Sequence, residues 1–192
     1  MSEAEDTDDE LLQAYAAGDD AAFAQLYDRH DRKCFAFIRR LVGSGNEAAA
    51  EDLHQETWVA VSRSARSFDA GRSRFATWLF TIARNKVMDH FRAEKVSAVW
   101  HVSEECLELV ADHAAGPLER AMTKQLAEAV VRAVEGLPLA QREAFLLFTD
   151  AEMSIEEVGQ ATGVGLETAK SRLRYAREGI RKLLVGWGVA HA

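Results

Sequence analysis

Proline is nearly absent from this chain, with 2 in 192 residues, and glycine contributes only 12. Folds made of many short strands need such residues at their turns, so the scarcity favours helices. Cysteine is equally sparse. Cys34 and Cys106 are too few for a disulfide scaffold or a paired-cysteine metal site, and both read as packing residues. No uncharged apolar run approaches the ~20 residues of a membrane helix, and the densest patch is Phe145 to Phe148. The first ten residues are acidic and hold no apolar stretch, so no signal peptide is expected there; the expected location is the cytoplasm, with no membrane insertion. The six histidines stand in no metal-ligand spacing, and phosphate-cradling and nucleophile-elbow motifs are missing. No catalytic residue, cofactor or metal is therefore expected. Asp52 and Glu56, four apart on a helix, are the nearest thing to a carboxylate pair.

What is present is charge in blocks. The formal net charge is -8, which argues against a simple nucleic-acid binder. The average hides an alternation. Residues 1–20 hold eight acids and no base, and residues 63–95 hold eight bases and three acids. Residues 96–119 hold five acids and no base, and residues 165–182 hold six bases and two acids. Two separate basic patches are thus framed by acidic segments.

Apolar periodicity organises the rest. Phe23, Leu26, Tyr27, His30, Cys34, Phe37, Ile38 and Leu41 predict a helix over about 21–42, stopped by Gly43-Ser44-Gly45-Asn46 with glycine in a left-handed exit. A second helix is predicted over about 48–66 with Leu53, Thr57, Ala60 and Val61 inward. After a loop at 67–73, a third is predicted over about 74–94 with Phe75, Trp78, Leu79 and Ile82 inward. Residues 96–119, acidic and aperiodic, read as a linker containing Trp100. Beyond Pro117 come a helix carrying Leu126, Val130 and Val134, another over about 139–149, a short one opened by Ser154 with Glu157 as a capping box, and a last one over about 166–184. The predicted fold is all-α. It comprises two small helical domains, 20–95 and 120–185, joined by the acidic linker.

Three constellations stand out. Residues 154–177 combine a capped helix, a Gly163-Val164-Gly165 turn and a basic amphipathic helix, which is a helix-turn-helix pattern. With Ala169, Leu173 and Ala176 inward, Thr168, Lys170, Ser171, Arg174, Tyr175 and Arg177 face outward as donors for phosphates and base edges. The second runs from Phe68 to Arg92, where an aromatic ring lies among Arg72, Arg74, Asn85 and Lys86. Rings that stack unpaired bases and cations that hold the backbone suit single-stranded nucleic acid. The third is an outward stripe of Asp52, Gln55, Glu56 and Val59, suited to a partner helix bearing arginine.

The segments Glu51–Trp58, Phe75–Asn85, Leu137–Phe145 and Glu167–Arg177, in that order, resemble the bacterial extracytoplasmic-function sigma factors, the two-domain minimal sigma family. The likeness spans about 20–95 and 120–184. It implies that the first domain docks on the clamp of core RNA polymerase through Asp52, Gln55 and Glu56. It implies that Phe68, Arg72, Arg74, Asn85 and Lys86 contact promoter DNA, with a flipped non-template base entering a pocket near Phe68 and Asn85. The second domain would read an upstream promoter element, and an anti-sigma factor would hold the protein in check. A rival reading, an autonomous helix-turn-helix regulator, would bind duplex DNA without polymerase.

Overall fold

The computed structural model of the chain describes residues 6–94 and 117–186; Trp100, Cys106 and nearly all of the 96–119 segment lie outside them. Among the described residues the regular structure is helical: α1 (Asp8–Ala16), α2 (Asp20–Val42), α3 (Glu47–Ser64), α4 (Phe75–Glu94), α5 (Pro117–Glu135), α6 (Leu139–Thr149), α7 (Ile155–Thr162) and α8 (Leu166–Gly186). No described helix is long and apolar enough to cross a membrane.

The first helix lies within the acidic N-terminal stretch, where no helix is predicted from periodicity. Its signal is local: the Thr7 hydroxyl accepts from the Glu10 amide, the Glu10 carboxylate accepts from the Thr7 amide, and three acids occupy the positive first turn. Leu11 and Leu12 are buried, anchoring α1 on α2. Most of the α2 stripe forms, with Leu26, Cys34, Phe37, Ile38 and Leu41 fully buried, while Phe23 and His30 are half-buried and Tyr27, expected inward, is 38% exposed. Gly43 ends α2 at φ 90°, ψ 153°, which is not the left-handed helical exit anticipated but an extended mirror region that only glycine enters readily.

Two faces are rotated from their predicted positions. On α4 the buried residues are Phe75, Thr77, Leu79, Phe80, Ala83 and Val87, while Trp78 and Ile82 are half-buried. This helix packs against α1, α2 and α3, and its Thr77 and Arg84 also reach Glu157 and Glu143 of the C-terminal helices, so a single-face periodicity underestimates its core. On α5 the seam is Ala129, Ala133 and Val134, and Leu126 is 46% exposed. The small alanines let the helix approach α8 closely.

Helices α1–α4 pack around α2, and α5–α7 pack around α8. The two sets also meet, α2 lying against α5 and α6. At the junction sits Arg142, fully buried. It donates to the Leu41 carbonyl at 3.3 Å, to the Leu137 carbonyl at 3.3 Å and to the Glu135 carbonyl. Leu41 lies in the last turn of α2 and Glu135 ends α5, where the carbonyls have no helical partner. One guanidinium therefore caps two negative helix termini, and this compensates for its desolvation.

Candidate nucleic-acid interface

The C-terminal site is built from α7, its turn and α8. The Ser154–Glu157 capping box predicted from sequence forms on both sides: Ser154 Oγ accepts from the Glu157 amide at 3.2 Å, and Glu157 Oε2 accepts from the Ser154 amide at 2.7 Å. Gly163 turns the chain at φ 68°, ψ 32°. Gly159 permits the close crossing, because a Cβ there would lie 3.0 Å from the Val164 carbonyl oxygen. Ala169, Leu173 and Ala176 are buried against this scaffold. The opposite face of α8 presents Thr168, Lys170, Arg174, Tyr175 and Arg177 exposed and Ser171 partly buried. Arg174 stacks over the Tyr175 ring at 4.9 Å, pre-arranging a flat donor surface. Glu167 pairs with Lys170 at 2.8 Å, and this contact raises the lysine pKa.

The N-terminal site lies between a turn and α4. A 3-10 turn, Ala65–Ser67, leads to Phe68, whose half-buried ring is tilted against Trp78 at 5.2 Å. Asp69 Oδ1 accepts from the Gly71 amide at 2.9 Å and tightens the following loop. Ser67, Phe68, Arg72, Thr77, Trp78 and Thr81 line one wall of a cleft of about 320 Å³. The structure thus brings Phe68 and Arg72 together. Asn85 does not line the cleft; it sits one helical turn beyond Thr81 on the same side of α4, exposed, accepting from Arg84 Nη1 at 3.0 Å. Lys86 pairs with Glu56 of α3 at 3.0 Å.

The other wall of that cleft was not legible in the sequence: Glu157, Gln160 and Ala161 of α7. Thr77 donates to Glu157 Oε1 at 2.9 Å and is buried by this contact. Arg74 lies 3.6 Å from Glu157 Oε2 and donates to the Glu152 carbonyl at 3.1 Å. Burial works against the Glu157 carboxylate, but the Ser154 amide, the Thr77 hydroxyl and Arg74 prevail and hold its pKa below the ordinary value. The pattern continues along the seam. Arg84 pairs with buried Glu143, Arg40 with Asp150 at 2.8 Å and Lys33 with Glu152 at 3.5 Å, while the Ser44 amide donates to Glu135 at 3.1 Å. The bases belong to α2, α4 and the loop before α4; the acids belong to α5–α7 and the loop between α6 and α7.

The acidic stripe on α3 remains outward. Asp52, Gln55 and Glu56 are exposed, and Val59 is 45% exposed beside them. Behind it, Leu53, Thr57, Trp58 and Val61 are buried and fix the helix rotation.

Comparison with known proteins agrees with this architecture. A family model described as Sigma-70 region 2 matches residues 26–96, and one described as Sigma-70, region 4 matches residues 127–178. The RNA polymerase sigma factor CarQ of Myxococcus xanthus is 32% identical over 174 residues, covering 90% of this chain and 95% of its own. The ECF RNA polymerase sigma factor RpoE of Cereibacter sphaeroides is 32% identical over 165 residues, covering 85% of this chain and 87% of its own. Among solved structures, CnrH in complex with the cytosolic domain of CnrY matches with a TM-score of 0.66 at 25% identity, covering 94% of this chain and 99% of that one. The sigma factor RpoE in complex with the anti-sigma factor NepR from Bartonella quintana matches with a TM-score of 0.63 at 27% identity, covering 84% of this chain and 96% of that one. Near-complete coverage, the paired region matches and the capped helix-turn-helix lead to one conclusion: the chain belongs to the extracytoplasmic-function family of RNA polymerase sigma factors.

Proposed function

We propose that this sigma factor divides its work among three surfaces. The α3 stripe of Asp52, Gln55 and Glu56 docks on core polymerase. The cleft at Phe68, with Arg72, Arg74, Asn85 and Lys86 around it, takes the displaced strand at the promoter element nearer the start site. The exposed face of α8, with Thr168, Lys170, Ser171, Arg174, Tyr175 and Arg177, reads the upstream element. Residues 20–95 and 120–185 are the units that carry these roles. An anti-sigma factor controls the protein in the cytoplasm, and the chain contributes no catalytic group of its own. The observation that supports this most is the α8 face: five exposed donors on a helix held by a capped α7 and a left-handed glycine turn.

Run-off transcription with core polymerase on fragmented genomic DNA tests the reading, with start sites sequenced. Transcripts that depend on both proteins are expected. Promoter binding unaffected by core would favour the autonomous regulator. Within that assay, Phe68→Ala and Asn85→Ala should preserve closed complexes yet cut permanganate-reactive thymines about tenfold, because base stacking contributes ~1–3 kcal/mol. A pre-melted template should restore Phe68→Ala. Normal reactivity on duplex promoter in both variants would place the strand pocket elsewhere.

A further inference from the structure

The loop carrying Phe68 and Arg72 hangs between the 3-10 turn Ala65–Ser67 and Phe75, the first residue of α4. Internally the loop is closed on itself. The Phe68 amide donates to the Ala65 carbonyl at 3.2 Å, and the amides of Arg72 and Ser73 donate to the Asp69 carbonyl at 3.0 and 3.3 Å. Its two ends are held by a third element, because α1 packs against both the 3-10 turn and α4. At the α4 end the contact is a defined hydrogen bond. The Phe75 amide is one of the first-turn donors that a helix leaves without an internal partner, and it donates to Asp9 Oδ1 at 2.8 Å. The surroundings aim Asp9 at this point. Leu11 and Leu12 are buried on the same helix. Asp8 pairs with Arg29 and His30 of α2, and Arg29 also donates to the Asp6 carbonyl at 2.8 Å. All of α1 precedes residue 26, where the match to Sigma-70 region 2 begins.

We infer that Asp9 is a positioning residue for strand capture: by capping α4 from α1, it sets the Phe68 ring against the α4 face that carries Asn85. The inference rests on the assignment of the Phe68 cleft as the strand site. Phe68 and Asn85 stand on opposite sides of Phe75 in the chain, so the start of α4 is the joint between them. A ring that stacks a base and a side chain that reads its edge work together only when held to within about 0.5 Å of the productive geometry. The loop's own hydrogen bonds fix its shape but not its angle to α4; the cap at the joint supplies that. A carboxylate there also meets the positive end of the helix. Polymerase docking and upstream reading are assigned to α3 and α8, so loss of the cap should fall on strand opening alone.

The test compares Asp9→Ala, Asp9→Asn, Phe68→Ala and Ile38→Val, each in the full chain assembled with core polymerase. Ile38 is fully buried in α2, and trimming it to valine weakens the fold by an amount of the same order as losing a helix cap, with the cap left in place. Urea unfolding reads stability, competition for core reads docking, and permanganate-reactive thymines on a duplex promoter read opening. Asp9→Ala should cut reactive thymines about fivefold, the ratio that corresponds to the typical loss of one cap, with competition for core unchanged. Asp9→Asn, whose side-chain oxygen still accepts from the Phe75 amide, should recover most of the signal. Adding Asp9→Ala to Phe68→Ala should lower opening little further, because both act on one pocket. An equal loss of opening in Ile38→Val at equal stability would make Asp9 merely structural and overturn the inference. So would an asparagine variant as impaired as the alanine one, or fully additive losses in the double variant. Normal opening in Asp9→Ala beside impaired opening in Phe68→Ala overturns the inference and leaves the strand-site reading standing. Normal opening in Phe68→Ala refutes the strand-site reading and this inference with it.

Discussion

The backbone amide of Phe75, at the start of α4, donates to Asp9 Oδ1 of α1 at 2.8 Å. Helix α4 thus receives its cap from a residue 66 positions away rather than from the loop that precedes it. The neighbouring Asp8 pairs with Arg29 at 3.1 Å and His30 at 2.6 Å on α2, and His30 meets the Phe75 ring edge-on at 5.2 Å. The acidic N-terminal helix therefore fixes the point where the Phe68 loop becomes α4. Asp9→Ala should lower stability by ~0.5–2 kcal/mol, the usual cost of losing such a cap, and Asp9→Asn should recover most of it. Urea unfolding of the two variants checks this. An asparagine variant as weak as the alanine one would mean that charge, not capping, matters at this position.

Polymerase docking should be sensitive to the α3 stripe. Asp52→Arg reverses charge at an exposed position, so the fold should survive while affinity for core drops by roughly 2 kcal/mol or more through repulsion of the partner's cations. Glu56→Arg should do the same and also release Lys86, its partner at 3.0 Å. Competition against labelled wild-type protein for core polymerase measures both; unaltered competition by Asp52→Arg would remove the stripe from the interface.

On the recognition helix, Arg174→Ala should cost ~1–3 kcal/mol and relax preference at one base pair. Lys170→Ala should weaken all sequences alike and flatten the salt slope. Glu167 holds Lys170 at 2.8 Å, so Glu167→Gln should release that lysine and increase upstream affinity. Footprinting across a salt series distinguishes the three variants. A loss of affinity in Glu167→Gln would show that the acid itself contributes a contact.

Stability should fall at mildly acidic pH through His54. His54 Nε2 lies 3.0 Å from the Trp58 indole nitrogen, a contact that suits a neutral ring, and 3.0 Å from Asp31 Oδ1, a contact that suits a protonated one. Burial lowers the His54 pKa below its ordinary 6.5, with Asp31 pulling the other way. Above the ordinary value both folded and unfolded chains keep the ring neutral and stability is complete. As pH falls through that value toward the lower folded one, the unfolded chain takes up the proton first and stability is lost. Urea midpoints at about pH 7.5 and about pH 5.5 should differ more for the wild-type chain than for His54→Gln. An identical difference in both would assign the loss to other groups.

Short-range physics made much of this protein readable from its sequence. Helix α2 follows from one apolar stripe, α7 from a serine and a glutamate three apart, and the α8 face from Ala169, Leu173 and Ala176 setting its rotation. Each depends on residues within a few turns of one another, where periodicity and capping act without knowledge of the rest of the chain. Even α1 carries a local signal, the capping pair Thr7 and Glu10. The outward stripe on α3 was equally legible, because Leu53, Thr57 and Val61 fix the opposite side. The tertiary structure alone decided which charged residues stay in solvent. Glu157 reads as a helix cap, and it is one, but it is also the partner of Thr77, 80 residues away. Arg84 reads as a solvated base and instead meets Glu143, 59 residues away. Arg142 reads as part of a motif, and its burial beneath the ends of α2 and α5 depends on a carbonyl 101 residues away. An isolated charge pattern fixes sign and spacing along one helix. Its partner is set by which helices the apolar faces bring together, and that is a property of the packed molecule.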